Sequence, residues 1–289
     1  MNEMLVFGWR RRDAKYVGEK LRMGAFKKTD GKKIDFVYPT KTAKVSITGR
    51  ECALRCPHCN TNFLRDIVRS DAKSCLVTGG CNDRGEVPLL EHIDTLRSLS
   101  RSYRLIVHTG LIQEESVKAI SPFVQVASFN LICDEETIRE VYGLERSVED
   151  YIESYRSLRR HVKVVPHITI GLKRGKIAGE KRAIEVLDSI GAEAVVFNVL
   201  VPTPGTLYEN LEPPPLSEVA GILKEAKEKL QKSSVYLGCM RPKGEYRKRI
   251  DQEAVLLGID RIVMPSRSAV IFAEKNGFTT GRREECCAI

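Results

Sequence analysis

The 289-residue chain contains no run of eighteen or more apolar residues, so no stretch has the length of a membrane-spanning helix. Its opening, MNEMLVFGWRRRDAKYVGEKLRMG, has too short an apolar stretch for a signal peptide and carries its basic residues on the wrong side of it. A cytoplasmic protein is expected. Aromatic residues make up only 7 % and scarcely interleave with the basic ones, which gives no stacking platform for single-stranded nucleic acid. No low-complexity tract or linker-like boundary divides the chain. Nor does any second CxxC or HxxxH half accompany the CPHC of residues 56–59, as a structural zinc site would require.

What is present is a globular mixture, 42 % hydrophobic and 29 % charged, with ample core. The net charge is +9, much of it in clusters such as Arg10-Arg11-Arg12, Lys32-Lys33 and Arg282-Arg283. Such clusters read either as a solvated surface or as a face for an acidic partner, protein or nucleic acid. Nine cysteines in a reducing compartment are not a disulfide framework, so metal or redox chemistry is the question they raise.

From Lys44 onward, β-branched runs alternate with amphipathic ones. KVSITG, SCLVTGG, RLIVHTG, FVQVASFNLIC, VKVVPHITIG, AVVFNVLVP, SVYLGCMRP and RIVMPS read as eight strands. LLEHIDTLRSLSR, VEDYIESYRSLRRH, GEKRAIEVLDSIG and SEVAGILKEAKEKLQKS are among the helical patterns between them. A repeat of roughly thirty residues per unit predicts an α/β fold with a parallel sheet, a complete or nearly complete (βα)8 TIM-type barrel. The alternative is a six-stranded partial barrel with an appended α/β end. Residues 1–43 read as a short basic helix-and-loop extension, and residues 44–289 as the barrel with a cysteine-bearing tail. In such a barrel the chemistry gathers on loops at the C-terminal ends of strands.

The loop TGRECALRCPHCNTN follows the first of these strands and sets Cys52, Cys56 and Cys59 at C-x3-C-x2-C spacing. Three thiolates on one turn suit three corners of a [4Fe-4S] cube, leaving the fourth iron open for chemistry. This motif after the first strand, followed by Gly-Gly after the second, resembles the radical S-adenosylmethionine (radical SAM) superfamily. The resemblance implies a [4Fe-4S] cluster whose open iron is chelated by the methionine moiety of S-adenosylmethionine. It implies too an electron from that cluster, cleavage to a 5′-deoxyadenosyl radical, and an electron donor such as ferredoxin. It assigns Gly79 and Gly80 to the methionine amino group, His58 to stacking on adenine, Ile168 and Gly171 to the purine side, and Asn130 to a ribose hydroxyl. Asn198, opening NVLVPTPGTLYE, belongs to the same cofactor-binding set. The usual Gly-Gly-Glu is here Gly79-Gly80-Cys81, with Glu86 the nearby carboxylate able to stand in.

Cys75 and Cys133 read as core. Cys239, with Val235 and Leu237 taken to share an inward parity, reads together with Cys286 and Cys287 of the ending EECCAI as ligands of a second, auxiliary iron–sulfur cluster, its fourth ligand Cys81, Ser266 or Ser268. A redox-active or incidental tail is the competing reading. The chain resembles biotin synthase-like enzymes, and in particular one subunit of two-subunit lipoyl synthases. That resemblance implies sulfur insertion into an octanoyl chain on an acidic lipoyl-carrier protein, with a second radical SAM subunit as partner. Arg241, Lys243, Arg247 and Lys248 would form a basic rim facing the carrier. Rearrangement of a small molecule, RNA modification and a zinc-stabilised binding module remain as other readings.

Overall fold

The computed structural model describes residues 32–289. Ten strands form one sheet: β1 (Lys33–Val37), β2 (Thr42–Ser46), β3 (Ser74–Thr78), β4 (Arg104–His108), β5 (Val126–Asn130), β6 (Lys163–Ile170), β7 (Ala194–Val199), β8 (Ser234–Leu237), β9 (Arg261–Val263) and β10 (Thr279–Arg283). Their order is β10-β1-β9-β8-β7-β6-β5-β4-β3-β2. Neighbours pair in parallel throughout, with registers such as Ala43↔Cys75 and Ile168↔Phe197. Helices α1 (Ile93–Ser100), α2 (Glu114–Ile120), α3 (Val148–His161), α4 (Glu180–Ile190), α5 (Leu216–Lys229), α6 (Glu245–Leu256) and α7 (Arg267–Lys275) lie between or after the strands. Helix α3 begins where a capping box allows it: Ser147 Oγ accepts from the Asp150 amide at 3.2 Å, and the Asp150 carboxylate accepts from the Ser147 amide at 2.7 Å.

All eight expected strands are present, and the sheet has two more. Residues 1–31 of the expected extension lie outside the described residues. Lys33–Val37 of that extension is instead a strand, inserted between β9 and β10. The sheet does not close as a complete (βα)8 barrel, because β2 and β10 are its two edges. It curls all the same. Alternate residues of the strands converge on one interior layer, with Val37, Ile106, Val126, Val165, Val196, Tyr236 and Val263 packed around Cys287 and Ala288. The opposite parity, including Leu105, Val107, Val235 and Leu237, packs against the helices. Both faces of the central strands are therefore covered, as in parallel α/β sheets generally, while the edge strand β10 is largely exposed.

Residues 284–289 enter this interior from below. The Lys41 amide donates to Glu284 O at 2.7 Å, the Cys286 amide donates to Thr42 Oγ1 at 2.8 Å, and the Arg104 guanidinium pairs with Glu285. Arg261 Nη1 donates to the carbonyls of Cys287 at 2.7 Å and Ile289 at 2.9 Å. These anchors sit at the starts of β2, β4 and β9, so the segment fills the N-terminal end of the curl. No helix among the described residues is long and apolar enough to cross a membrane.

Candidate functional site

The loop after β2 is folded by its own hydrogen bonds and by β3. Amides of Cys59 and Asn60 both donate to Cys56 O, at 3.0 and 2.9 Å, winding the CPHC turn tightly. Arg55, Asn60 and Thr61 adopt left-handed backbone, with φ of 44°, 40° and 63°, a cost that non-glycine residues bear mostly at functional turns. Thr48 Oγ1 accepts from the Gly80 amide at 2.7 Å and donates to Glu51 O at 2.9 Å, tying the loop to the end of β3. Gly80 has to be glycine. A Cβ there would meet Glu51 O at 1.9 Å and the Cys52 Cβ at 2.5 Å.

Cys52, Cys56 and Cys59 share this loop, and Cys56 lies within electrostatic reach of the other two. Cys56 and Cys59 share a hydrogen bond that pulls Cys59 down to about 7 and pushes Cys56 up, since Cys59 carries the charge and Cys56 keeps the proton. Cys52 borders an open cleft of ≈ 540 Å³, lined also by Arg50, Arg55, Asn60 and Gly205. His58 is half-buried with its ring edge on Tyr142, centroids 6.1 Å apart. Burial lowers its pKa to about 4, and its Nδ1 is buried without a hydrogen-bond partner. Among the described residues, no three His, Cys, Asp or Glu side chains are gathered so as to hold a single metal ion. Soft thiolates on a strained loop, a bare glycine against Cys52 and an orphaned buried imidazole nitrogen fit a larger, sulfur-ligated group.

Cys81 also joins this loop. Its carbonyl accepts from the Ala53 amide at 2.8 Å, and its thiol is pushed up to about 12 by burial and then by the charges of Cys52 and Cys59. Glu86 does not stand in as a free carboxylate: its Oε2 accepts from Asn82 Nδ2 at 3.1 Å and Arg84 Nε at 2.9 Å.

The other cofactor-set residues have mixed placements. Gly79 is buried where an added Cβ would press on Val87, Ile47 and Thr48 at 3.0–3.2 Å. Asn130 is exposed at the end of β5. Ile168 is buried on the helix-facing side of β6, and Gly171 (φ +76°) packs against Pro214, where a Cβ would come within 2.7 Å of Cγ. The Gly171 amide donates to the buried carboxylate of Glu180 at 2.7 Å. Asn198 braces the loop after β8: its Oδ1 accepts from the Met240 amide at 3.3 Å and lies where a Gly238 Cβ would be, 2.1 Å away.

Of the second set of thiols, Cys286 and Cys287 lie inside the curl. Cys286 and Cys287 are hydrogen-bonded to each other, which lowers Cys286 and, with burial, raises Cys287. Cys239 is reached by solvent yet walled by protein; burial and then the charge of Cys286 raise it. Its strand parity differs from expectation, because Val235 and Leu237 face the helices and Tyr236 faces the interior. Cys239 lies two residues beyond β8, where the chain has left the pleat. Ser266 and Ser268 bond to each other at 3.2 Å at the start of α7, and Cys81 sits by the first loop, so none of the three stands out as a further ligand of this set.

Between the two thiol sets lie groups that sequence reasoning did not single out as a set. Lys44, at the centre of β2, donates from Nζ to Phe63 O at 2.8 Å, is lowered by burial and is held up by Asp66 and Cys239. His108 and His167 meet edge to face at 6.0 Å, and burial lowers them to about 3 and about 4, so both are neutral. A period-two reading of β2, β4 and β6 puts all three on the interior parity, but only the curled topology brings them together. Arg241 is not a rim cation. It is buried, with Nε donating to Asp251 at 2.7 Å.

No protein-family model matches the chain, and no curated protein matches it. Solved structures share its fold. Methylornithine synthase (PylB) superposes with a TM-score of 0.58 at 11 % identity, covering 87 % of this chain and 84 % of that one. The FeFe-hydrogenase maturase HydG from Carboxydothermus hydrogenoformans gives 0.62 at 13 %, covering 89 % and 64 %. Streptococcus suis SuiB bound to S-adenosylmethionine gives 0.51 at 11 %, covering 82 % and 56 %. This chain therefore spans less than two thirds of the HydG and SuiB chains. At such identities the likeness is one of fold, and it agrees with the α/β barrel-type class read from the sequence.

Proposed function

We propose that this chain is a radical SAM enzyme that inserts sulfur into an unactivated carbon. The observation that carries this reading is the presence of further thiols in the same curl as Cys52/Cys56/Cys59: Cys286 and Cys287 at its N-terminal end, with Cys239 beyond the end of β8 and within electrostatic reach of both. Cys52, Cys56 and Cys59 would hold three irons of a [4Fe-4S] cluster, and Cys239, Cys286 and Cys287 would hold an auxiliary cluster. When bound, the first cluster supplies the electron that opens S-adenosylmethionine to a hydrogen-abstracting radical, and the second supplies sulfur. The residues of the chain do the rest. Gly80 lets the β3 loop approach Cys52, Asn198 holds the turn that presents Cys239, and the neutral pair His108 and His167 lines the space between without adding charge.

In its most specific form, the substrate is an octanoyl chain on an acidic lipoyl-carrier protein, an electron donor such as ferredoxin feeds the first cluster, and a second radical SAM subunit completes the product. The net charge of +9 supports an acidic carrier. A second reading, rearrangement of a small polar molecule, is favoured by one observation: Lys44, His108 and His167 add polar side chains above the apolar interior layer.

Anaerobic reconstitution followed by iron and sulfide analysis separates the two. About eight irons per chain support sulfur insertion, and about four support the small-molecule reaction. Replacing Cys52, Cys56 and Cys59 together with alanine should abolish 5′-deoxyadenosine formation. Its persistence in that variant would end the radical SAM assignment.

A further inference from the structure

His108, Ser128 and His167 lie on the neighbouring strands β4, β5 and β6 and share the inward parity of Ile106, Val126 and Val165, one inward position lower. Residues of the opposite parity on these strands, Val107, Ala127, Phe129 and Ile168, pack against the helices. Register sets His108 directly beside Ser128, and His167 beside Asn130 two residues further along β5. The two imidazole rings meet edge to face with centroids 6.0 Å apart. Ser128 and His167 are only 4 % and 8 % exposed, so this polar band is part of the interior and not of the rim. The lining of the curl changes within one inward step from an apolar floor to a polar band.

The hydrogen bonds of the band are incomplete. His167 Nδ1 lies 3.0 Å from Val165 O, and a carbonyl only accepts, so that nitrogen carries the proton and Nε2 keeps its lone pair. Both rings are neutral. Among the described residues, no protein group pairs with His167 Nε2, with either nitrogen of His108 or with Ser128 Oγ. The sealed, unpaired side-chain atoms are elsewhere, on His58, Arg247 and Glu285, so these four atoms face space that a ligand can reach. Interior polar groups call for partners. A fixed lone pair close to a hydroxyl and an imidazole N–H is matched by a group that carries an N–H next to a carbonyl oxygen.

We propose that His108, Ser128 and His167 bind the polar group of the substrate, whose N–H donates to His167 Nε2 while the neighbouring oxygen accepts from Ser128 Oγ or the His108 ring N–H. The proposal rests on the sulfur-insertion reading above, in which this group is the amide that joins the acyl chain to lysine. A free amino acid, its counterpart in the small-molecule reading, offers the same pairing. In either case Ile106, Val126 and Val165 give the attached carbon chain an apolar surface beneath.

Calorimetric titration of the full chain, reconstituted anaerobically with S-adenosylmethionine and no reductant, reads binding without turnover. The probes are a peptide carrying Nε-octanoyl-lysine and its ester analogue, in which oxygen replaces the N–H. The amide should bind about tenfold more tightly, because the ester leaves the buried lone pair unpaired. His167→Leu should erase the preference, and His167→Gln, whose side-chain carbonyl can accept the same N–H, should restore most of it. Equal affinities in the wild type, or a preference that survives His167→Leu, would overturn the proposal. If neither peptide binds but a mixture of the common amino acids binds the wild type and not His167→Leu, the pairing stands and the carrier-bound substrate falls. Binding of no probe at all would overturn the proposal. With reductant added, sulfur attached equally well to amide and ester would keep sulfur insertion and remove this site.

Discussion

Asp251→Ala is the most informative single change for the frame of the site. Asp251 is fully buried on α6 and accepts twice: Oδ1 from Arg241 Nε at 2.7 Å, and Oδ2 from the Ser266 amide at 2.6 Å. Arg241 also donates to the carbonyls of Gly238 and Met264, so one guanidinium ties the ends of β8 and β9 together. Alanine leaves a buried cation without its partner, at a cost of about 3–5 kcal/mol. With a denaturant slope of about 3 kcal/mol per molar urea, the unfolding midpoint should fall by about 1–1.7 M. Removing both charges, as in Arg241→Met with Asp251→Leu, should cost far less, because the penalty lies in the unpaired ion and not in the absent bridge. Cys239 follows Gly238 directly, so the single variant should also lose iron from the second thiol set before the first. Urea titration followed by fluorescence, with iron analysis, checks both parts. A midpoint shift below about 0.3 M would show that the pair is not buried as described.

Three further outcomes follow from the interior. Because burial depresses His108 and His167 to about 3 and about 4, their unfolded forms take protons below about pH 6.5 while the native forms do not. Their contribution is complete above that pH and is lost as pH falls toward 4, by about 2 kcal/mol each at pH 5; a urea midpoint unchanged between pH 7 and 5 would contradict it. Cys286→Ala with Cys287→Ala should lower iron by up to one cluster and leave S-adenosylmethionine cleavage intact, whereas unchanged iron would show that these thiols only fill the core. Given an octanoylated carrier peptide, the chain alone should attach one sulfur, and less of it as salt rises past 0.1 M, where screening acts within about 10 Å; a doubly thiolated product in the mass spectrum would refute the division of labour with a partner.

The strands with alternating β-branched residues were legible because parallel strands covered on both faces carry apolar side chains almost continuously. The same property hid their orientation. In SVYLG every residue from Val235 to Leu237 is buried, so the pattern could not say that Tyr236 points inward and its neighbours outward. β10, TTGRR, is largely exposed and polar, and β1 emerges from a basic stretch with no helix between it and β2, so neither looks like a repeat unit. The C-x3-C-x2-C loop was legible because its chemistry is local. Lys44 and His167 were not, since each gains its meaning from strands that face one another only once the sheet has curled. Arg241 was misread for a related reason: its partner lies ten residues on, across the turn into α6.

The depth of the curl constrains what can react in it. The first thiol set begins just after Ser46, and the backbone of the second is bonded to Thr42, at opposite ends of β2. Four residue steps of an extended strand separate these anchors by about 13 Å. On the proposed sulfur-insertion reading, a carbon that loses hydrogen to a radical made at one end and takes sulfur from the other would lie between them. Lys44, His108 and His167 stand at this middle level, and Cys239 reaches toward it from the end of β8. On that reading, a substrate that threads downward from a carrier docked outside would meet these demands, because its reactive carbons could descend between the two sets of thiols.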